Sequence, residues 1–309
     1  NLNTYRSQRR GGRGVQGASS REEDFVEHLF VANTHSYILF FTDKGKCYWV
    51  KVYDIPEGGR AAKGRAIVNL IGCEPDEKVS AFISVKEFND DHFVVMATEK
   101  GIVKKTKLSA YSNPRKKGIY AVEIRDGDKL IEARVSTGDN DILLGTRNGK
   151  SIRFSEEQIR PSGRKTMGVK GITLSSEDDR LVGMLLIKRE GTTVLVATEK
   201  GFGKRTEISQ YRAQKRGGKG VLTMKTTDKV GKMVTIKEVV DKDDLMIITN
   251  QGVLIRQPVS QIRAIGRATQ GVKLIKLGEG TLVSSITRIM SEEDSGDENN
   301  STEPKGNTE

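Results

Sequence analysis

Gln8-Arg9-Arg10-Gly11-Gly12-Arg13-Gly14 is the stretch of this sequence best equipped to do chemistry, and that chemistry is binding rather than bond-making. Its three arginines supply planar donors that fit phosphate oxygens bidentately. Its three glycines let the backbone approach a polyanion closely and expose N–H groups that bind phosphate. No aromatic residue interleaves with the arginines, so contacts should fall on a nucleic-acid backbone rather than on stacked bases. An RGG-like RNA-binding stretch or a plain solvated turn has a similar composition, but neither explains why the string recurs. Gln214-Lys215-Arg216-Gly217-Gly218-Lys219-Gly220 is a second copy in which two arginines have become lysines. Lysine keeps the charge and loses the planar fork, so this copy reads as a second phosphate anchor or as a repeat that has drifted little.

Weaker basic loops stand in the same frame: Arg60, Lys63 and Arg65; Arg115, Lys116 and Lys117; Arg160, Arg164 and Lys165; Arg263 and Arg267. Lys104, Lys105 and Lys107, then Lys204 and Arg205, then Arg256 follow tight turns. If successive units form a ring, equivalent positions share an edge and these cations form a belt around the rim. Any single one could be ordinary surface charge; the recurrence is what counts. The polyanion-contact set expected from sequence is therefore Gln8–Gly14, Gln214–Gly220, Lys63, Arg65, Arg115, Lys116, Lys117, Arg164, Lys165, Lys204, Arg205, Arg263 and Arg267. Nothing resembles a catalytic centre. His28, His35 and His92 stand alone, no serine or cysteine has a paired base, and no carboxylates have metal spacing. Asp90-Asp91 and Asp178-Asp179 read as solvated corners. No catalytic residue, metal or cofactor is expected in this chain.

The elements that must carry these loops come from an internal repeat. Ala97–Thr106 reads ATEKGIVKKT and Ala197–Thr206 reads ATEKGFGKRT, with related stretches at Phe41–Val50, Gly145–Phe154 and Ile248–Gln257. In each, an apolar run leads to Thr, two residues and then Gly45, Gly101, Gly149, Gly201 or Gly252. A β-branched run, a polar pair and a glycine able to take φ > 0 make a β-hairpin. A second landmark recurs about every 50 residues after the basic loops: Gly14-Val15, Gly64-Arg65, Gly118-Ile119, Gly168-Val169, Gly220-Val221 and Gly271-Val272. Apolar alternation resumes after several of these. A third landmark is a strand at 78–85, 130–135, 181–187 and 282–289. Each unit thus holds about four strands and no helical stripe. Four antiparallel strands per unit imply an all-β, propeller-like ring, and six basic loops imply six blades. The first basic loop has no hairpin before it, so one hairpin is expected upstream of residue 1 or absent, making the chain a fragment. The last blade would close by pairing the N-terminal segment with the strand at 282–289.

Composition agrees. Thirty-three glycines against six prolines suit many tight turns. The net charge is +11, but residues 291–309 carry seven acids against Lys305. That tail is −6, which leaves +17 on residues 1–290 and points to a polyanionic partner. The domain boundary therefore falls at 290, with 291–309 an acidic, disordered tail that either competes with DNA for the rim or only aids solubility. Cys47 and Cys73 form no motif, as in a reduced cytosolic protein. No apolar run is long enough to span a membrane, and no signal peptide is visible.

The heptad Gln8–Gly14, together with the period, hairpin glycines and strand order from Tyr5 to about Met290, resembles the C-terminal domain of the bacterial DNA gyrase A subunit. There the string QRRGGRG or QRRGGKG is known as the GyrA box. The near-intact second copy departs from that family's usual single box. The resemblance implies a six-bladed β-pinwheel that binds and bends double-stranded DNA without sequence preference. It implies wrapping with positive handedness, so that the holoenzyme introduces negative supercoils. It further implies a cytoplasmic, nucleoid-associated location, the rest of the gyrase A polypeptide upstream, the gyrase B protein in an A2B2 assembly, and ATP and Mg acting on other domains or subunits. Three rivals differ: a domain of the topoisomerase IV C type, which usually lacks an intact heptad; a kelch or WD40 interaction propeller, whose signatures are missing; and an RNA-binding protein. Energetically a wrap is feasible. Half a turn of duplex around a body of ~25 Å radius takes about 32 base pairs and costs roughly 14 kcal/mol to bend. Counterion release yields about 1.2 kcal/mol per neutralised phosphate near 0.1 M salt, so about a dozen contacts offset the bend.

Overall fold

The computed structural model describes residues 15–16 (backbone only), 33–56, 67–187 and 191–289. Five four-stranded antiparallel sheets account for every strand among them. Each hairpin forms around a turn glycine at positive φ: +77° at Gly45, +80° at Gly101, +81° at Gly149, +78° at Gly201 and +74° at Gly252. The hairpins are β2 (Tyr37–Thr42) with β3 (Lys46–Lys51), β5 (Phe93–Thr98) with β6 (Ile102–Lys107), and β9 (Asp141–Thr146) with β10 (Lys150–Ser155). The last two are β13 (Thr193–Thr198) with β14 (Phe202–Glu207), and β17 (Asp244–Thr249) with β18 (Val253–Pro258).

A seven-residue strand flanks the first strand of each hairpin: β4 (Val79–Val85), β8 (Leu130–Ser136), β12 (Leu181–Ile187), β16 (Met233–Val239) and β20 (Val283–Ile289). Every one of these pairings shifts register by one residue at the hairpin's terminal threonine or beside it, a bulge that bends the strand. These five strands are the innermost of the ring. β4 packs on β8, β8 on β12, β12 on β16 and β16 on β20. The core lies in slabs between consecutive sheets. Val94 and Met96 of β5 face Leu39 and Phe41 of the first sheet, while Val95 and Ala97 face Ile142 and Leu144 of the third. A strand buried on both faces reads as one continuous apolar run, as FVVMAT does.

The fourth strand of each sheet is only two residues long and comes from the next unit. β7 (Ile119–Tyr120) pairs with β3, β11 (Val169–Lys170) with β6, β15 (Val221–Leu222) with β10, and β19 (Val272–Lys273) with β14. The residues that follow hook onto the turn. The N–H groups of Ala121 and Val122 both donate to the Gly45 carbonyl, and those of Thr223 and Met224 to Gly149. Sequence alternation after Gly118 and Gly271 had suggested longer strands. Pairing stops after two residues because the chain turns inward, burying Val122 and Leu274.

Two sequence expectations need correction. Among the described residues there are five blades, not six. A blade needs a hairpin, and the described residues hold five; five short strands complete the five sheets, so counting basic loops does not count blades. The ring also closes differently. β1 (Val15–Gln16) pairs with β18, Val15 opposite Leu254 and Gln16 opposite Val253. It does not pair with the strand at 282–289, because β20 occupies the inner edge of that sheet and short strands take the outer edge. Among the described residues the only α-helix is α1 (Ile67–Ile71), and no helix is long and apolar enough to cross a membrane.

Gly149 shows how tightly the turns are built. A Cβ there would sit 2.2 Å from the Met224 carbonyl oxygen, at a φ that L side chains resist. We expect Gly149→Ala to lower unfolding free energy by roughly 2–4 kcal/mol in urea denaturation. A loss under about 0.5 kcal/mol would show that the turn does not fix the junction between sheets.

Candidate nucleic-acid interface

Each short strand is preceded by a basic loop, so the loops are pinned to the outer edges of successive sheets. The four described loops with their strands, 112–120, 160–170, 212–222 and 263–273, contain three, four, four and three cations, fourteen in all, and no acidic residue. Landmark glycines at their ends again take positive φ, and a Cβ on Gly220 would lie 2.3 Å from the Ser151 carbonyl oxygen. Arg115, Lys116, Lys117, Lys165, Lys215, Lys219 and Arg263 project into solvent. Gln214, Arg164, Arg216 and Arg267 are half-buried, as are Gly217, Gly218 and Gly220. Gln8–Gly14, Arg60, Lys63, Arg65 and the tail 291–309 lie outside the described residues.

Lys204 and Arg205 sit elsewhere than on an open belt. Lys204 is 0% exposed and Arg205 8%. The Lys204 ammonium lies beneath the last basic loop and donates to the carbonyls of Gly266 (2.6 Å) and Arg267. Lys104 does the same one unit pair earlier, to Ala121 (2.7 Å) and Arg164 (2.5 Å). Arg205 donates to the Ile262 carbonyl (2.5 Å) and pairs with Asp241. The same strand position holds Arg153 on Asp141 (2.6 Å), Arg256 on Asp244 (2.6 Å) and Lys105 on Glu156 (3.0 Å). These cations are all paired within the fold. Exposed Lys107 faces Asp90 at 3.6 Å. Sequence reading missed Lys170 and Lys273, which are exposed on the short strands. The available signal was their place two residues after the landmark glycine, where alternation turns a side chain outward.

Loops without a lysine below them use a different fit. Ile152 takes the place of Lys104 and Lys204, and the Gly217-Gly218 pair lies over it, with Ile152 Cδ1 3.4 Å from where a Gly218 Cβ would be. The glycine carbonyls turn to Thr173 instead, whose hydroxyl donates to Gly217 (2.7 Å) and whose N–H donates to Gly218 (2.9 Å). Where lysine lies below, threonine replaces the second glycine. Thr166 and Thr269 close their own loops by donating to the carbonyls of Gly163 and Gly266, each at 3.0 Å.

The family model described as "DNA gyrase C-terminal domain, beta-propeller" matches residues 1–33, 36–86, 92–137, 140–188, 192–239 and 243–289. The chain belongs to this family. It is 46% identical to the DNA gyrase A protein of Staphylococcus epidermidis over 295 residues, 95% of this chain and 33% of that protein. It is also 46% identical to the DNA gyrase A protein of Staphylococcus aureus over 309 residues, 99% of this chain and 34% of that protein. The chain thus spans about a third of the length of the curated relatives it matches. Among solved structures, the C-terminal domain of DNA topoisomerase IV matches with a TM-score of 0.76 and 25% identity, covering 84% of this chain and 80% of that one. A DNA gyrase A C-terminal domain matches with a TM-score of 0.77 at 22% identity, covering 93% and 94%. The family match spans six segments, and all but the first carry a hairpin and its inner strand. The first, 1–33, contributes β1 to the described sheets.

In this gyrase-family domain the buried lysines carry an electrostatic cost. Burial, with the Arg267 guanidinium close by, pushes the Lys204 pKa down to about 8, and burial with Arg164 does the same for Lys104. The two carbonyls at each ammonium offset part of that cost. Between pH 8 and the ordinary lysine value of 10.5, the unfolded chain holds a proton that folded Lys204 gives up, so stability from this group rises with pH across that window. Lys204→Met removes the titration. The wild-type minus variant difference in unfolding free energy should therefore grow by about 1–3 kcal/mol between about pH 7.5 and 10. A difference independent of pH, in urea melts at both values, would mean that the ammonium is not desolvated.

Proposed function

We propose that this chain binds duplex DNA along its basic rim, independently of sequence, and wraps it with positive handedness as the C-terminal part of a gyrase A polypeptide. The observation that carries this reading is the placement of four acid-free basic loops on the outer edges of consecutive sheets. A duplex following the rim meets one loop per blade. Arg115, Lys116, Lys117, Lys165, Lys215, Lys219 and Arg263 are the expected phosphate contacts, with Lys170 and Lys273 added. Gln8–Gly14 joins them as the strongest anchor on its sequence. Lys204 and Arg205 leave the contact set because their charges are spent on carbonyls and Asp241.

The nine exposed rim cations named above, with the three arginines of Gln8–Gly14, make twelve, close to the dozen or so neutralised phosphates that a half-turn of bent duplex requires. The margin is small, so wrapping should be more sensitive than binding to the loss of any one anchor. In the whole enzyme the domain would present a neighbouring DNA segment for strand passage. The gyrase B protein would hydrolyse ATP, Mg would act on other parts of the assembly, and the complex would work in the bacterial cytoplasm on the nucleoid.

Topology trapping tests this reading. A nicked plasmid resealed by ligase with the domain bound should show positive linking-number shifts. Alanines at Gln8–Gly14 should abolish most of the shift while costing less than about tenfold in affinity at about 0.1 M salt. Binding without a shift in the wild type would sink the wrapping role and leave a passive, topoisomerase IV-like holder of DNA. No duplex binding would sink the DNA reading itself.

A further inference from the structure

The arginine four residues before the landmark glycine recurs in five of the six basic loops: Arg10, Arg60, Arg164, Arg216 and Arg267, with Pro114 in the sixth. Such persistence invites the reading that it is the principal phosphate ligand. The geometry gives it another task. Arg164 Nη1 donates to the Tyr120 carbonyl at 3.2 Å, Arg216 Nη1 to Lys170 at 2.6 Å and Arg267 Nη1 to Leu222 at 2.8 Å. Tyr120, Lys170 and Leu222 are the second residues of β7, β11 and β15. Each arginine therefore reaches back to the rim strand of the loop before it. Arg216 adds an Nε bond to the Gln158 carbonyl at 3.3 Å. Arg267 lies over the Tyr211 ring, 6.0 Å from its centroid. Matching backbone bonds run alongside, from Glu123 N–H to Thr166, Thr173 N–H to Gly218 and Lys225 N–H to Thr269.

We infer that Arg164, Arg216 and Arg267 are positioning residues that clip consecutive DNA-binding loops into one continuous track, and that the phosphates are held instead by the exposed cations beside them. This rests on the DNA-wrapping reading above and divides its labour. β7, β11, β15 and β19 each have only two paired residues, so without the clips a loop could shift against its neighbour. Duplex bent around the rim must meet successive loops at a fixed spacing, and a track that slips binds DNA but cannot hold its curvature. A guanidinium suits the task because its planar fork reaches past the loop to a carbonyl with a second N–H to spare. Lysine keeps the charge and loses that geometry.

The test compares two triple variants of the full chain, each on two substrates. A duplex of about 15 base pairs, too short to wrap, reports local phosphate contacts through the salt dependence of binding; each contact contributes about 0.9 to the slope. The ligase-sealed plasmid reports curvature. For Arg164→Lys/Arg216→Lys/Arg267→Lys we expect a short-duplex slope like wild type, affinity within about threefold, and a linking-number shift reduced to about half or less. For Lys165→Ala/Lys215→Ala/Lys219→Ala we expect a lower slope and weaker binding to both substrates. The inference is overturned if the arginine-to-lysine variant wraps plasmid like wild type. It is equally overturned if the slope of Arg216→Ala falls as far as that of Lys215→Ala. Should the triple variant fail to fold, Arg216→Lys alone decides, since its loop keeps the Gln214 N–H bond to Arg153 and the Gly217 N–H bond to Gly171, both 2.8 Å. If wild type itself fails to bind duplex, the functional reading fails and the clips remain a structural feature only.

Discussion

A strand two residues long governs the placement of charge in this protein. β7, β11, β15 and β19 each complete a sheet whose other three strands come from the preceding unit, and β1 does the same for the last sheet. The exchange has three physical consequences. It caps the outer edge of each sheet, which would otherwise present unpaired N–H and C=O groups. It ties each sheet to the next through the chain itself. It also fixes the basic loops preceding β7, β11, β15 and β19 at the outer edges of their sheets.

Two paired residues are too few to hold a loop alone, and the remaining bonds show how the problem is solved. Paired N–H groups hook onto the turn carbonyl of Gly45, Gly101, Gly149 or Gly201. Below the loop there is a buried lysine donating to a loop carbonyl, as at Lys104 and Lys204, an isoleucine next to Gly218, as at Ile152, or, under the loop at 112–120, the Tyr48 ring against Gly118. The first device costs desolvation of an ammonium, offset in part by charge-assisted hydrogen bonds. The second uses Gly217 at a φ of +83°, which L side chains resist, while Gly218 lies 3.4 Å from Ile152 Cδ1 at the Cβ position. In the sheet that receives β1, Ile255 occupies the same strand position, and the chain leading into β1 carries Gly11-Gly12. The glycine pair and the isoleucine thus go together in the sequence of both heptads.

Cations are consequently of two kinds. Lys104, Lys105, Lys204, Arg205, Arg153 and Arg256 have partners within the fold, and Arg164, Arg216 and Arg267 reach the neighbouring rim strand. What remains free for a polyanion is the set of exposed residues around them. A count of basic residues overstates the charge available on the rim, although enough remains for the bending energy involved.

Much of this was legible in the residues themselves. The period, the five hairpin turns with their positive-φ glycines, and four of the inner strands, read at 78–85, 130–135, 181–187 and 282–289, follow from local chemistry: a glycine where φ > 0 is demanded, continuous apolar runs in the first hairpin strands, buried on both faces, and mixed runs in the inner strands. These depend only on near neighbours in the chain. The tertiary structure alone decided which sheet each short strand completes, the sheet edge that receives β1, and the direction of Lys204 and Arg205. In β6 and β14 adjacent cations point to opposite faces, and both faces are covered, so alternation cannot distinguish a buried ammonium from an exposed one. The pairing of each short strand with the previous unit is a long-range choice between sheet edges, made by packing around the ring, and no local pattern encodes it.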